Sequence, residues 1–506
     1  MKKQSLIKGS LILSIAGIFT RALGLFFRWP LIMLIGDEGI GYYQMSYPLY
    51  VFFIGIASGV PIAISKIISE NNVLEDVNSN FIVIKEAFIA MMILSIGTSV
   101  SLFFGAKYII KIFNWDFKAY YSLIGISIAP IVVSALTIFR GFFQGYQNMT
   151  PSAISQIIEQ VGRVVFGVGL AIVFLPYGIE FSAGGASFGA VVGGIIAVVY
   201  LFIKYIRIKR ENNIREIKTD AHILNKILNI AIPISLGTSV STAMSLIDSF
   251  LVPQGLLKAG FTSKEATILY AQLTGKASVI VNIPLTISMA ICISVIPIIA
   301  EVFLLKRYEE LQRKVNFIIK LAMIIAIPCY LGLFFMAEPI MKTIFPGKYE
   351  GYLILKYLSI SIPFIIITQI TTSILQGIGR YIIPVINLLI GCMFKAILTI
   401  ILVPNIKFNI YGAVASSIIA YIIVSVINII IVRKGLNIRF EFKKIFKILY
   451  CSIIMMIIVI KTYNFIITRN YSNTLACLIS IGIGAIIYFI GIMLLGILKI
   501  KEIRGK

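Results

Sequence analysis

The chain has 506 residues, of which 59% are hydrophobic and 13% charged, and its mean hydropathy is +0.98. Soluble domains carry about twice that share of charge, so most of this chain is solvated by lipid. The net charge of +24 does not mark a nucleic-acid partner, because the basic residues collect in the connections between apolar runs.

A membrane helix needs about 20 mainly apolar residues. Such runs are predicted at 8–35, 44–68, 83–106, 119–143, 153–175, 184–204, 226–252, 269–301, 315–336, 351–376, 381–403, 410–432, 445–464 and 474–498. These fourteen spans give an all-α integral membrane fold whose short connections leave no room for a soluble catalytic domain. Lys2, Lys3 and Lys8 precede a first run that is too long for a signal-peptide core and lacks a small-residue cleavage site, so it reads as a retained first helix. With the N-terminus inside, and cations within three residues of a span end counted with the adjoining connection, 28 Lys and Arg fall in inside segments, 10 in outside loops and seven deeper within spans. That bias predicts cytoplasmic termini.

Span 1 contains two of the embedded cations, Arg21 and Arg28, in the stretch TRALGLFFR. A charge near the bilayer centre costs roughly 2.5–3.5 kcal/mol on insertion scales and is usually kept for a substrate path or an internal partner. Seven residues is nearly two turns, which puts both guanidinium groups on one face, about 10 Å apart along the axis. Two forked cations on one embedded face suit a phosphate or carboxylate.

In span 5, Glu159 and Arg163 are four apart and so neighbours on one face. They read either as a self-neutralising pair or as a cavity cation oriented by its carboxylate. Span 7 contains Asp248, deep in an apolar run with no sequence-local cation, a candidate proton or cation site. Lys276 opens span 8 near the outer surface, where snorkelling is the bland account and a headgroup contact the functional one. Gly193 and Gly194 read as close helix packing.

The chain repeats itself. FRGFFQGYQNMTPSAISQIIEQVGR (139–163) and ILQGIGRYIIPVINLLIGCMFK (374–395) align on Gln144-Gly145 and Gln376-Gly377, with a proline seven or eight residues after each Gln and a cation, Arg163 or Lys395, 18 residues after each Gly. The offset of about 230 residues makes spans 1–6 one unit, repeated in spans 7–12. Six is even, so the repeats are parallel and the substrate site is expected where the lobes meet. The expected domains are an N-lobe (1–210), a C-lobe (211–440) and a two-helix extension (441–506). The five cysteines lie inside apolar runs without metal-ligand spacing, and the single histidine, His222, lies in a charged loop, so no metal site or catalytic histidine is expected.

TRALGLFFR, GDEGIGYYQMSYPLY, ASGVPIAISKIISE and the 139–163 segment resemble the stage V sporulation protein B and polysaccharide-biosynthesis family of the multidrug/oligosaccharidyl-lipid/polysaccharide exporter superfamily, relatives of the MurJ-like lipid II flippases. The resemblance implies two six-helix lobes around a cationic cavity that holds the pyrophosphate of an undecaprenyl-linked sugar. Spans 13 and 14 would form a lipid-facing groove. It matches Arg21 to the family's first-helix arginine pair, with Arg28 one residue further on, and aligns Asp248 with a helix 7 sodium-site carboxylate. The family's second-helix arginine is absent, its place taken by Tyr47-Pro48. Span 11 has Asn387 and Gly391 where a carboxylate would complete the sodium site.

The expected function is a non-enzymatic flippase moving a polyprenyl-pyrophosphate-linked saccharide, lipid II or a related peptidoglycan precursor, from the inner to the outer leaflet of the bacterial cell membrane by alternating access. The headgroup residues are Arg21, Arg28, Arg163, Glu159, Lys276 and Lys395, and the coupling residues Asp248 and Asn387, with sodium or protons as candidate coupling ions and no cofactor. The expected partners are the lipid-linked substrate, membrane lipids and cell-wall synthesis enzymes. The rivals are a drug/cation antiporter of the same fold, which would need an acidic or aromatic cavity, and a non-transporting scaffold for wall or spore-cortex synthesis, which would not need membrane-embedded arginines.

Overall fold

The computed structural model describes residue 4 and residues 6–212, 220–436 and 442–497. Lys2, Lys3, Arg215, Lys218, Arg439 and the basic C-terminal residues counted as inside charges lie outside the described residues. In chain order the helices are α1 (Leu6–Ala57), α2 (Gly59–Val73), α3 (Val77–Phe113), α4 (Tyr120–Ser127), α5 (Ala129–Gly145), α6 (Thr150–Phe174), α7 (Ile179–Glu211), α8 (Ala221–Lys258) and α9 (Ser263–Ala271). They are followed by α10 (Ser278–Leu304), α11 (Tyr308–Phe335), α12 (Ala337–Ile344), α13 (Tyr352–Leu358), α14 (Ile362–Gly377), α15 (Ile382–Leu402), α16 (Asn409–Leu436), α17 (Phe442–Thr468) and α18 (Asn473–Leu494).

Among the described residues, thirteen helical stretches are long and apolar enough to cross a membrane. The first, Ile15–Val73, is 59 residues long and accommodates the first two expected spans. They are separated at Gly36, whose φ of 66° and ψ of −171° break the helix at a conformation that suits glycine. The fourteen spans are therefore all present, and the chain is an all-helical, multi-pass membrane protein. Span 6, expected to end at 204, runs on, because α7 continues to Glu211 on a basic last turn that complements its C-terminal dipole.

Packing divides the chain into two compact units, Met1–Ala271 and Gln272–Lys506. In the first, α6 and α7 meet along glycines: a methyl on Gly162 would lie 2.6 Å from the Gly193 Cα, so the two backbones approach without side chains between them. Helix α8 follows the repeat boundary in sequence but packs in the first unit. There the Ser249 hydroxyl donates to the Met45 carbonyl (2.7 Å) and the Trp115 indole to the Ser249 carbonyl (2.8 Å). In the second unit, Tyr488 of α18 donates to the Ile324 carbonyl of α11 (2.7 Å) and the Asn473 amide to the Pro339 carbonyl of α12 (3.1 Å), which fasten α18, the last of the added C-terminal helices.

Candidate functional site

The first unit is built around Arg163, the one buried Lys or Arg among its described residues. Its helix, α6, lies against α7 so closely that a methyl on Gly193 would sit 2.5 Å from the Arg163 amide nitrogen. With that face closed, the guanidinium points at α1. There Tyr43, Tyr47 and Tyr50 follow a spacing of four and three residues and share one helical face. Phe27 comes from the other side of the Gly36 break, and its ring meets Tyr43 edge-on at 5.9 Å.

These four rings sheathe the cation. Arg163 Nη2 donates to the Tyr43 hydroxyl at 2.7 Å, and its guanidinium carbon lies 4.8 Å from the Tyr47 ring centre, 5.4 Å from Tyr50 and 5.5 Å from Phe27. Cation–π contacts of this kind contribute up to about 2 kcal/mol each when desolvated. Arg163 Nε is buried and makes no hydrogen bond. Arg28 approaches the same Tyr47 ring, at 5.6 Å. Tyr47, which stands where relatives were expected to have an arginine, is thus the ring shared by two arginines. Arg21, one face with Arg28 by spacing, is exposed.

Glu159 does not pair with Arg163. Its Oε2 accepts from Arg140 Nη2 at 2.7 Å and its Oε1 from the Tyr50 hydroxyl at 3.4 Å. Arg140 reaches it from α5 and is itself fixed by a 2.9 Å bond from Nε to the Ser155 hydroxyl. The intrahelical pair expected from the four-residue spacing loses to a cation from the neighbouring helix. Among the described residues, neither Arg28 nor Arg163 has a carboxylate oxygen within 4.0 Å. The sequence reading missed Arg140, Tyr43 and Tyr50; the tyrosine spacing was the available signal.

Asp248 is half-buried on α8 within the first unit, beside the Ser249–Met45 contact, although the repeat assigned it to the second lobe. In the second unit, Lys276 is fully buried in a π-helical turn (Gln272–Ala277) rather than snorkelling. Its Nζ donates to the Lys348 carbonyl at 2.7 Å and lies 3.8 Å from a Glu350 carboxylate oxygen, so it anchors the segment before α13. Lys395 is buried on α15, and Asn387 of the same helix donates to Asn428 of α16 at 2.7 Å. Among the described residues no three His, Cys, Asp or Glu come together as metal ligands.

Comparison with known proteins identifies the family and the fold. Residues 6–303 match the family described as "Polysaccharide biosynthesis protein". The chain belongs to that family. It is 27% identical to stage V sporulation protein B of Bacillus subtilis (strain 168), over 100% of this chain and 98% of that protein. Identity to the lipid II flippase MurJ of the same organism is 25%, over 89% and 87% of the two chains. A solved structure of lipid II flippase MurJ in an inward closed conformation has the same fold, with a TM-score of 0.74 at 20% identity, covering 95% of this chain and 98% of that one. So does an inward-facing multidrug resistance MATE family transporter of the MOP superfamily (TM-score 0.70, 15% identity, 86% and 98% covered). The family resemblance carried by the N-terminal motifs is borne out.

Proposed function

We propose that this family member is a flippase that moves an undecaprenyl-pyrophosphate-linked saccharide, lipid II or a related peptidoglycan precursor, from the inner to the outer leaflet. The observation that carries the reading is Arg163, a buried cation compensated by aromatic rings and, among the described residues, by no carboxylate, with Arg28 on the same Tyr47 ring. Burying a charge without a counter-ion is costly, and a ligand that brings two negative phosphates offsets that cost. Arg21, exposed on the same helix, is the first contact, and Arg28 and Arg163 take the pyrophosphate while the polyprenyl tail stays in lipid.

The full cycle is alternating access, with cytoplasmic termini in a bacterial cell membrane. Lys395 is assigned to the headgroup side in the second unit, where Lys276, expected beside it, is instead taken up by the segment before α13; Asp248 and Asn387 are assigned to coupling by protons or sodium. Net movement needs a free-energy difference between the two exposures, from an ion, the membrane potential or product removal. Cell-wall synthesis enzymes are the expected suppliers and consumers of the substrate.

The multidrug-transporter alternative is disfavoured by the same cluster. An aromatic box suits an organic cation, but this one already holds the protein's own guanidinium. The test is transport by the purified chain in vesicles of a lipid-linked disaccharide-pyrophosphate against an organic dye cation. Movement of the lipid alone supports the flippase; movement of the dye alone overturns it.

A further inference from the structure

Arg140 and Glu159 form a pair that the anion reading does not use, yet it borders the anion site. Both carboxylate oxygens of Glu159 are occupied, Oε2 by Arg140 Nη2 (2.7 Å) and Oε1 by the Tyr50 hydroxyl (3.4 Å). Tyr50 in turn is one of the rings over Arg163. Arg140 is locked from two more sides: its Nε donates to Ser155 (2.9 Å), and its carbonyl accepts from the Ser152 hydroxyl (3.2 Å). Ser155, Glu159 and Arg163 recur every four residues along α6, so they lie on one face.

We infer that Arg140 is a positioning residue that keeps the anion site cationic: by holding Glu159 toward α5, it withholds from Arg163 the carboxylate four residues away on its own helix. The inference rests on the reading of Arg163 as an anion-binding group. Without Arg140, the next cation along Glu159's own helical face is Arg163, four residues on. The resulting intrahelical ion pair would cancel the charge that the pyrophosphate needs. An opposite charge brought within about 4–6 Å changes the energetics of an ionised group by a factor of ten or more, so the effect on anion affinity is large. In this scheme Glu159, expected from the sequence among the headgroup residues, neutralises Arg140 with both its oxygens taken and does not touch the ligand.

The test is equilibrium binding of farnesyl pyrophosphate to the full-length protein in nanodiscs, with thermal unfolding recorded for each variant. Arg140→Gln should weaken binding about tenfold or more. Arg140→Gln combined with Glu159→Gln should bind as wild type does, because the released carboxylate is gone. Arg140→Lys should retain binding, since an ammonium still pairs with Glu159. Glu159→Gln alone should keep its affinity, which tests the inference even if Arg140→Gln fails to fold. The inference is overturned if the double variant binds as poorly as Arg140→Gln, if Arg140→Gln binds normally, or if Glu159→Gln loses affinity. Arg163→Gln separates the two claims. If it binds like wild type, the anion reading itself fails and the inference with it; if it loses binding while the double variant is not rescued, only the inference fails.

Discussion

Arg163 Nη2 donates to the Tyr43 hydroxyl at 2.7 Å, so the first unit's buried cation is held by a neutral oxygen of a helix 120 residues away. A hydrogen bond from a charged donor contributes about 1.5–3 kcal/mol, and a buried donor left without a partner costs a similar amount. Tyr43→Phe, which keeps the ring, should therefore lower the unfolding temperature in detergent. Combining it with Arg163→Met should recover much of the loss, because both halves of the bond are then apolar. Additive losses in the double variant would contradict the assigned bond.

The α6–α7 contact makes a second prediction. A methyl on Gly193 would press on the Arg163 backbone nitrogen at 2.5 Å, and neither backbone can give way easily. Gly193→Ala should destabilise by about 1–3 kcal/mol and loosen the Arg163 box. Gly97→Ala is the control: no atom lies within 4 Å of its added methyl, and removing an interior helical glycine is neutral or stabilising by up to about 1 kcal/mol. Equal effects at the two positions would remove the argument that close approach positions α6.

Much of the fold can be read from the sequence, because hydrocarbon burial is a local signal: a run of apolar residues needs lipid whatever it packs against. The site is legible only in part. The spacing of Glu159 and Arg163 is a statement about one helix, and it cannot anticipate a stronger competitor from another, so Arg140 takes the carboxylate. Charge counting groups Arg140, three residues inside the end of span 4, with the inside connection that follows, where it looks like a topology signal. Lys276 similarly reads as an interfacial lysine because its partners are backbone carbonyls at 348 and 350, which have no sequence signature. Tyr47 is legible as an absence, the missing second-helix arginine, but its part between Arg28 and Arg163 depends on the Gly36 break.

Lys276 supplies a third prediction. Lys276→Met preserves length and removes the donors to the Lys348 and Glu350 carbonyls, which lie 2.7 and 3.5 Å from Nζ. Hydrogen–deuterium exchange in residues 345–352 should accelerate while α17 and α18 are unaffected. Unchanged exchange there would mean that the lysine does not anchor this segment.

Energy coupling is tested at Asp248. Asp248→Asn keeps the volume and removes the charge, so farnesyl pyrophosphate affinity should be retained while net flipping slows and no longer responds to an imposed proton or sodium gradient. A variant with the wild-type rate and the wild-type gradient response would reduce Asp248 to a packing residue on α8.

If Arg28 and Arg163 form a pyrophosphate site through which a lipid-linked saccharide crosses the membrane, transport of that lipid depends on both arginines. The most direct measurement is flipping of purified lipid II by the reconstituted protein, scored by a reagent that labels the headgroup in the outer leaflet of the vesicle only. The account predicts protein-dependent exchange for the wild type and loss of it, by about tenfold or more for each lost charge-assisted contact, in Arg28→Gln and Arg163→Gln proteins that insert and unfold normally. Wild-type flipping by the Arg28→Gln, Arg163→Gln double variant would contradict it.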